Sequence, residues 1–194
     1  MEVNNFFKQH DFSDDIPAEI SRAFKREVFP KNYHLLLPGN HSKKIFFFEK
    51  GFARTYYYKN GKDITQYFYK ENDSFAPIES IFHNRPSHYG LELLEDSVIY
   101  SIKYPSIAKY LNGSIEVNKL FRMITVTQLA FYDRLESILF HSARERYERL
   151  LRDHPDILLR APLGHIASYL GITQQTLSVI RARTYRQELP KKVD

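Results

Sequence analysis

Residues 163–180, LGHIASYLGITQQTLSVI, constrain the fold of this chain more than any other stretch. Ile166, Leu170, Ile172, Leu177 and Ile180 recur at helical spacing and predict one shared apolar face. Ala167 is small enough for a second helix to approach closely. Gly171 suits the positive φ that ends a helix. Thr173 is a good N-cap for the next one. Together these predict two short helices joined by a tight turn, a helix-turn-helix. A plain helical hairpin shares the apolar spacing but has no need for Ala and then Gly.

Charge supports the sharper reading. Residues 157–187 contain no Asp or Glu but do contain Arg160, Arg181, Arg183 and Arg186. An acid-free surface with several Arg suits the phosphates of nucleic acid. Cations complementing a helix C-terminus would explain Arg181 and Arg183, but not the missing acids. On this reading double-stranded DNA is the partner. Gln174, Gln175, Ser178 and Val179 are the candidate base-reading residues, and Thr173, Arg181 and Arg183 are candidate phosphate contacts. Gln matches the N6/N7 edge of adenine and an apolar side chain matches the thymine methyl, which predicts contacts rich in A·T.

At 194 residues, with 43% hydrophobic content, the chain has enough material for one or two cores. The formal charge of +5 is compatible with an acidic partner. The chain has no Cys, which excludes disulfides, thiol catalysis and a cluster held by its own thiolates. The polar, acidic N-terminus does not read as a signal peptide, and no run of about 18 apolar residues predicts a membrane helix. A cytoplasmic location with no membrane partner is expected.

Upstream, residues 17–29 read as a helix capped by Asp14 or Asp15, with Ile20, Phe24 and Val28 on one face. From Asn32 to Lys103, short aromatic and aliphatic runs alternate with turn signals, and Asn60-Gly61 is a strong hairpin signal. This pattern predicts an antiparallel β jelly-roll. Ser114 then caps a helix running to about Phe140, with Val117, Leu120, Phe121, Ile124, Phe131, Leu135 and Ile138 as an apolar stripe. Such a helix is about 39 Å long at about 1.5 Å per residue. Either it packs wholly on its own domain, or it pairs with the same helix of a second chain. The second reading is preferred and gives a homodimer interface at Leu120, Ile124, Phe131 and Leu135. Ser142 caps a further helix, 143–154.

The order jelly-roll, long helix and helix-turn-helix resembles the Crp/Fnr family of bacterial transcription regulators. The resemblance is most specific at residues 142–147, SARERY, and at HIASYLGITQQTLSVIRAR. It implies an α+β fold: a cyclic-nucleotide-binding-like jelly-roll over 1–113, a dimerisation helix over 114–140 and a DNA-binding domain over 141–194. It also implies a homodimer that regulates transcription, with RNA polymerase and a small-molecule effector as further candidate partners. The usual effector anchors do not carry over. Ala76-Pro77 stands where family members that bind cyclic nucleotides have Gly-Glu. His88 and its neighbours stand where they have Arg-Ser/Thr-Ala. Cyclic AMP binding in the usual mode is therefore not expected, and no cofactor is assigned.

Two rivals remain in view. Jelly-rolls also host cupin-like metal enzymes, but His83 and His88 sit in a Pro-containing loop without an H-x-H pair. They read as surface histidines, so no metal site and no catalytic residue are assigned. A small-ligand receptor module without DNA binding leaves the acid-free, Arg-bearing segment unexplained.

Overall fold

A computed structural model describes the backbone of residues 18–188 and, except at 127, 128, 130–135 and 185–188, their side chains. The chain divides into two compact units, Met1–Phe131 and Tyr132–Asp194.

The first unit holds two four-stranded antiparallel sheets. Strands β1 (Lys25–Phe29), β3 (Lys44–Lys50), β6 (Ser74–Phe75) and β8 (Ser97–Lys103) form one sheet, ordered β1-β8-β3-β6. Strands β2 (His34–Leu36), β4 (Ala53–Lys59), β5 (Lys62–Tyr69) and β7 (Gly90–Leu93) form the other, ordered β2-β7-β4-β5. Helices α1 (Ala18–Ala23), α2 (Ile78–Phe82), α3 (Tyr104–Ala108) and the start of α4 (Ile115–Phe140) complete the unit.

Period-two alternation explains the core. Phe46 and Phe48 of β3 point between the sheets and join Phe75, Ile99, Leu91, Leu93 and Tyr69. Ile45 and Phe47 point the other way, joining Ile20, Ile107, Val117, Leu120 and Ile124 from the helices. A strand buried on both faces carries no polar alternation, which is why KIFFFEK is apolar at four successive positions. Asn60 and Gly61 have φ of 52° and 73°, the left-handed pair that a two-residue hairpin turn requires. Gly51 is obligatory for another reason: a Cβ there would lie 2.9 Å from the Ser97 backbone, and its φ is +119°.

Two expectations are corrected. The helix expected over 17–29 stops at Ala23, and residues 25–29 form β1, which pairs with β8 from Lys25↔Ser101 to Phe29↔Ser97. The apolar spacing that suggested a longer helix served a sheet edge instead, and Val28 is 70% exposed. Asp14 and Asp15 lie outside the described residues. Second, Leu120 and Ile124 are 1% and 4% exposed and packed in the core of their own unit, so they are not free for a second chain. The apolar side chains exposed on this part of α4 are Val126 (62%) and Leu129 (56%), with Ile115 at its start. Phe131 and Leu135 are among the side chains outside the description.

The second unit contains α5 (Ala143–Asp153), α6 (Ile157–Arg160), α7 (Leu163–Tyr169) and α8 (Gln174–Glu188). Ser142 caps α5 through a reciprocal box: Glu145 N–H donates to Ser142 Oγ at 3.3 Å, and Ser142 N–H donates to Glu145 Oε2 at 2.7 Å. The Glu145 carboxyl is held below the usual range mainly by hydrogen bonds from the Ser142 hydroxyl and the Ser142 N–H.

Candidate nucleic-acid interface

Helices α7 and α8 pack through Ile166, Ala167, Leu170 and Leu177, each no more than 2% exposed. The turn between them closes on its own backbone. Leu170 N–H donates to Ile166 O at 2.9 Å, Gly171 N–H to Ser168 O at 3.1 Å and Ile172 N–H to Ala167 O at 3.0 Å. Gly171 has φ +67°, the left-handed conformation the sequence predicted. Thr173 is the N-cap of α8, its Oγ1 accepting from Thr176 N–H at 3.1 Å.

The burial of Leu177 fixes which face of α8 looks outward. Gln175, Ser178 and Val179 are exposed, Val179 by 50%. Successive helical positions rotate by about 100°, so these three fall on one face, opposite Leu177. Ala182, also exposed, falls on the same face. Gln174 is placed differently. It is exposed, but its amide lies against α7, so close that a Cβ on Gly164 would come within 2.5 Å of Nε2. Gly164 thus makes room for Gln174, which no spacing argument indicated. Arg183 is exposed, whereas Arg181 is half-buried on the Leu177 side and lines a groove with Tyr147 and Leu158. The two arginines therefore flank the exposed face on opposite sides.

In the first unit, the stretch aligned with effector anchors is built from backbone bonds and rings. Ala76 is 3% exposed, and Pro77 caps α2 without a side-chain bond. Ser87 is engaged locally, its Oγ donating to Tyr89 O at 2.9 Å. His88 and Tyr89 pack on Tyr57 with centroids 5.3 and 5.9 Å away. Tyr69 is fully buried, stacked on Phe48 and edge-on to Phe75. Burial pushes its phenol well above the ordinary value. His83 is exposed, and among the described residues no three His, Asp or Glu side chains converge on a metal position.

Sequence reasoning did not anticipate the buried ion cluster of the second sheet. Arg54, 3% exposed, donates from Nε to Glu92 at 2.7 Å and from its terminal nitrogens to Asp63 and Thr65 at 2.8–3.1 Å. Its guanidinium also lies 4.8 Å from the Tyr56 ring centroid. The cluster satisfies a buried cation and knits β4, β5 and β7 together.

Residues 26–114 match the cyclic nucleotide-binding domain family. A comparison with curated proteins finds no match. Among solved structures, FixK2 from Bradyrhizobium japonicum is 19% identical, with 88% of this chain and 89% of that one covered and a TM-score of 0.72. A CooA variant from Carboxydothermus hydrogenoformans is 18% identical, with coverage of 100% and 87% and a TM-score of 0.73. A protein from Eubacterium rectale, described as a transcriptional regulator of the Crp/Fnr family, is 17% identical, with coverage of 96% and 89% and a TM-score of 0.68. The chain thus has the fold of the Crp/Fnr-family transcriptional regulators, and its residues 26–114 match the cyclic nucleotide-binding domain family.

Proposed function

We propose that the protein is a sequence-specific DNA-binding transcription regulator, not an enzyme, that acts as a dimer in the bacterial cytoplasm. The observation that carries this reading is the outward face of α8. Gln175, Ser178 and Val179 are exposed on a helix that Leu177 anchors to α7, within a segment free of acids. In a helix-turn-helix this face enters the major groove. Arg181, Arg183 and the Thr173 cap flank it, as phosphate contacts do. Gln174 leans on Gly164 and serves the edge of the contact.

Dimerisation through α4 would place two reading helices on two half-sites. The exposed Val126 and Leu129 are the seam that supports it, in place of Leu120 and Ile124. The effector domain works without cyclic AMP in the usual mode, through another ligand or none, because neither polar anchor is present at 76–77 or 87–90. RNA polymerase is the further partner that an activator of this type would contact.

Selection of binding sites from random duplexes by the purified full chain tests the reading. The expected result is an inverted repeat with A·T-rich half-sites about one helical turn apart. Recovery of no enriched sequence would refute it. Calorimetry with cyclic AMP should show no binding at micromolar concentration.

A further inference from the structure

Strand β2, the β2–β3 connection and the end of β8 line an open cleft of about 460 Å³ that belongs to neither the helix-turn-helix nor the 74–93 stretch. Its polar lining includes Asn40, His41, Ser42, Lys43, Lys44 and Lys103, with His34 beside them, and Leu35 and Leu37 form an apolar wall. No acid contributes to the lining.

Three observations bear on these lysines. Some cations of the chain are paired with a carboxylate, among them Arg26 with Glu49, Arg54 with Asp63 and Glu92, Lys109 with Glu19 and Lys119 with Glu116. Among the described residues, Lys43, Lys44 and Lys103 have no such carboxylate. Next, Lys44 and Lys103 are direct cross-strand partners in the β3–β8 ladder. Like charges facing each other there destabilise a sheet, so the pair calls for a counter-charge. Finally, donors converge beside them. Ser42 Oγ accepts from Lys44 N–H at 3.2 Å and keeps its own proton to donate. The Tyr56 hydroxyl holds His34 Nδ1 at 3.1 Å, which leaves Nε2 open.

We propose that this cleft binds a small polyanion carrying two or more linked phosphate groups, held by Lys43, Lys44 and Lys103 with Ser42 as a hydroxyl donor. Three ammonium groups exceed what one phosphate neutralises, so two or three linked phosphates match their charge better. Lysine is a recurrent point-charge binder of phosphate. The volume is that of a small-molecule site, and the leucine wall accommodates an apolar substituent on the phosphate chain.

The test is calorimetry and thermal melting of the full chain with inorganic triphosphate as the probe. Wild type should bind one triphosphate per chain. Lys44→Gln/Lys103→Gln should weaken binding at least about thirtyfold, the loss of two charge-assisted contacts. Arg181→Gln, in the other unit, should leave it unchanged. Without the probe the double variant should melt no lower than wild type, since a like-charge pair is removed; this separates lost binding from lost folding. Lys43→Gln, outside any strand, should weaken binding on its own. Equal affinity in wild type and the double variant would overturn the proposal. So would loss of binding in Arg181→Gln, or displacement of triphosphate from Arg181→Gln by an unrelated duplex, which would assign the patch to nucleic acid.

Discussion

Replacing Leu177 by Ala tests how the reading helix is held. Leu177 is fully buried and is the side chain through which α8 packs against α7. Deleting its three outer carbons removes apolar contact and leaves a void, which together cost about 2–5 kcal/mol. The unit that contains it, Tyr132–Asp194, is small. At about 0.05–0.15 kcal/mol per residue, a unit of roughly 60 residues has only about 3–9 kcal/mol in hand. The substitution should therefore remove about half of its stability and leave the sheets of the first unit intact. Hydrogen exchange read by mass spectrometry follows both units in one sample. Amides bonded in the turn, at Leu170, Ile172 and Leu177, should exchange about thirtyfold to about five-thousandfold faster. Amides of β4 and β8 should keep their rates. Val179→Ala, at a position 50% exposed, should leave both units protected. Acceleration below about tenfold at Leu170 and Ile172 would mean that Leu177 does not hold the two helices together. Equal acceleration in the strands would mean that the two units do not unfold separately.

Three further outcomes are expected. Gln175→Ala should cost about 1–3 kcal/mol on the selected site and relax preference at one base pair, while Arg181→Ala should weaken all sequences alike and lower the salt slope by about one unit per subunit; the reverse pattern in salt titrations on matched and substituted duplexes would misplace the helix in the groove. Val126→Lys/Leu129→Lys, at side chains 62% and 56% exposed, should yield monomers by light scattering with unchanged melting, whereas a dimer of undiminished mass would exclude this seam. Burial pushes the Asp73 carboxyl up to about 6, opposed by the backbone bond from Lys70 N–H. Its folded value lies above its unfolded one, so its contribution is complete below about pH 4 and is lost as pH rises through about 6. Asp73→Asn should therefore match wild type in urea unfolding near the lower limit and exceed it at neutral pH by about 1–2 kcal/mol, after allowance for partial solvation.

The local devices were legible because each is encoded within a few residues. The Asn60-Gly61 turn, the Ser142 cap, the Gly171 turn and the Thr173 cap all rest on backbone conformations or hydrogen bonds that span no more than about four positions. The mismatch of Ala76-Pro77 with a ribose-binding carboxylate needed no coordinates either. The sequence offers Gln174, Gln175, Ser178 and Val179 as an exposed set; Gln175, Ser178 and Val179 face away from Leu177, while Gln174 lies against Gly164 of α7, which periodicity alone did not indicate.

What the sequence left open depends on partners distant along the chain. Residues 25–29 read as the continuation of a helix until β8 presents an edge to pair with, some 70 residues away. Leu120, Ile124, Val126 and Leu129 are all apolar residues on one helix. Only the packing of α4 against Ile45, Phe47 and Tyr100 decides which of them are buried and which remain open. Arg54 meets Glu92, and Lys44 meets Lys103, through strand register alone. Sequence determined which elements could form and where they turn, because those choices are settled by local backbone preference and side-chain period. Tertiary structure decided which faces are covered and which charges meet, because burial and Coulomb energy depend on distances that strand pairing sets and the order of residues does not.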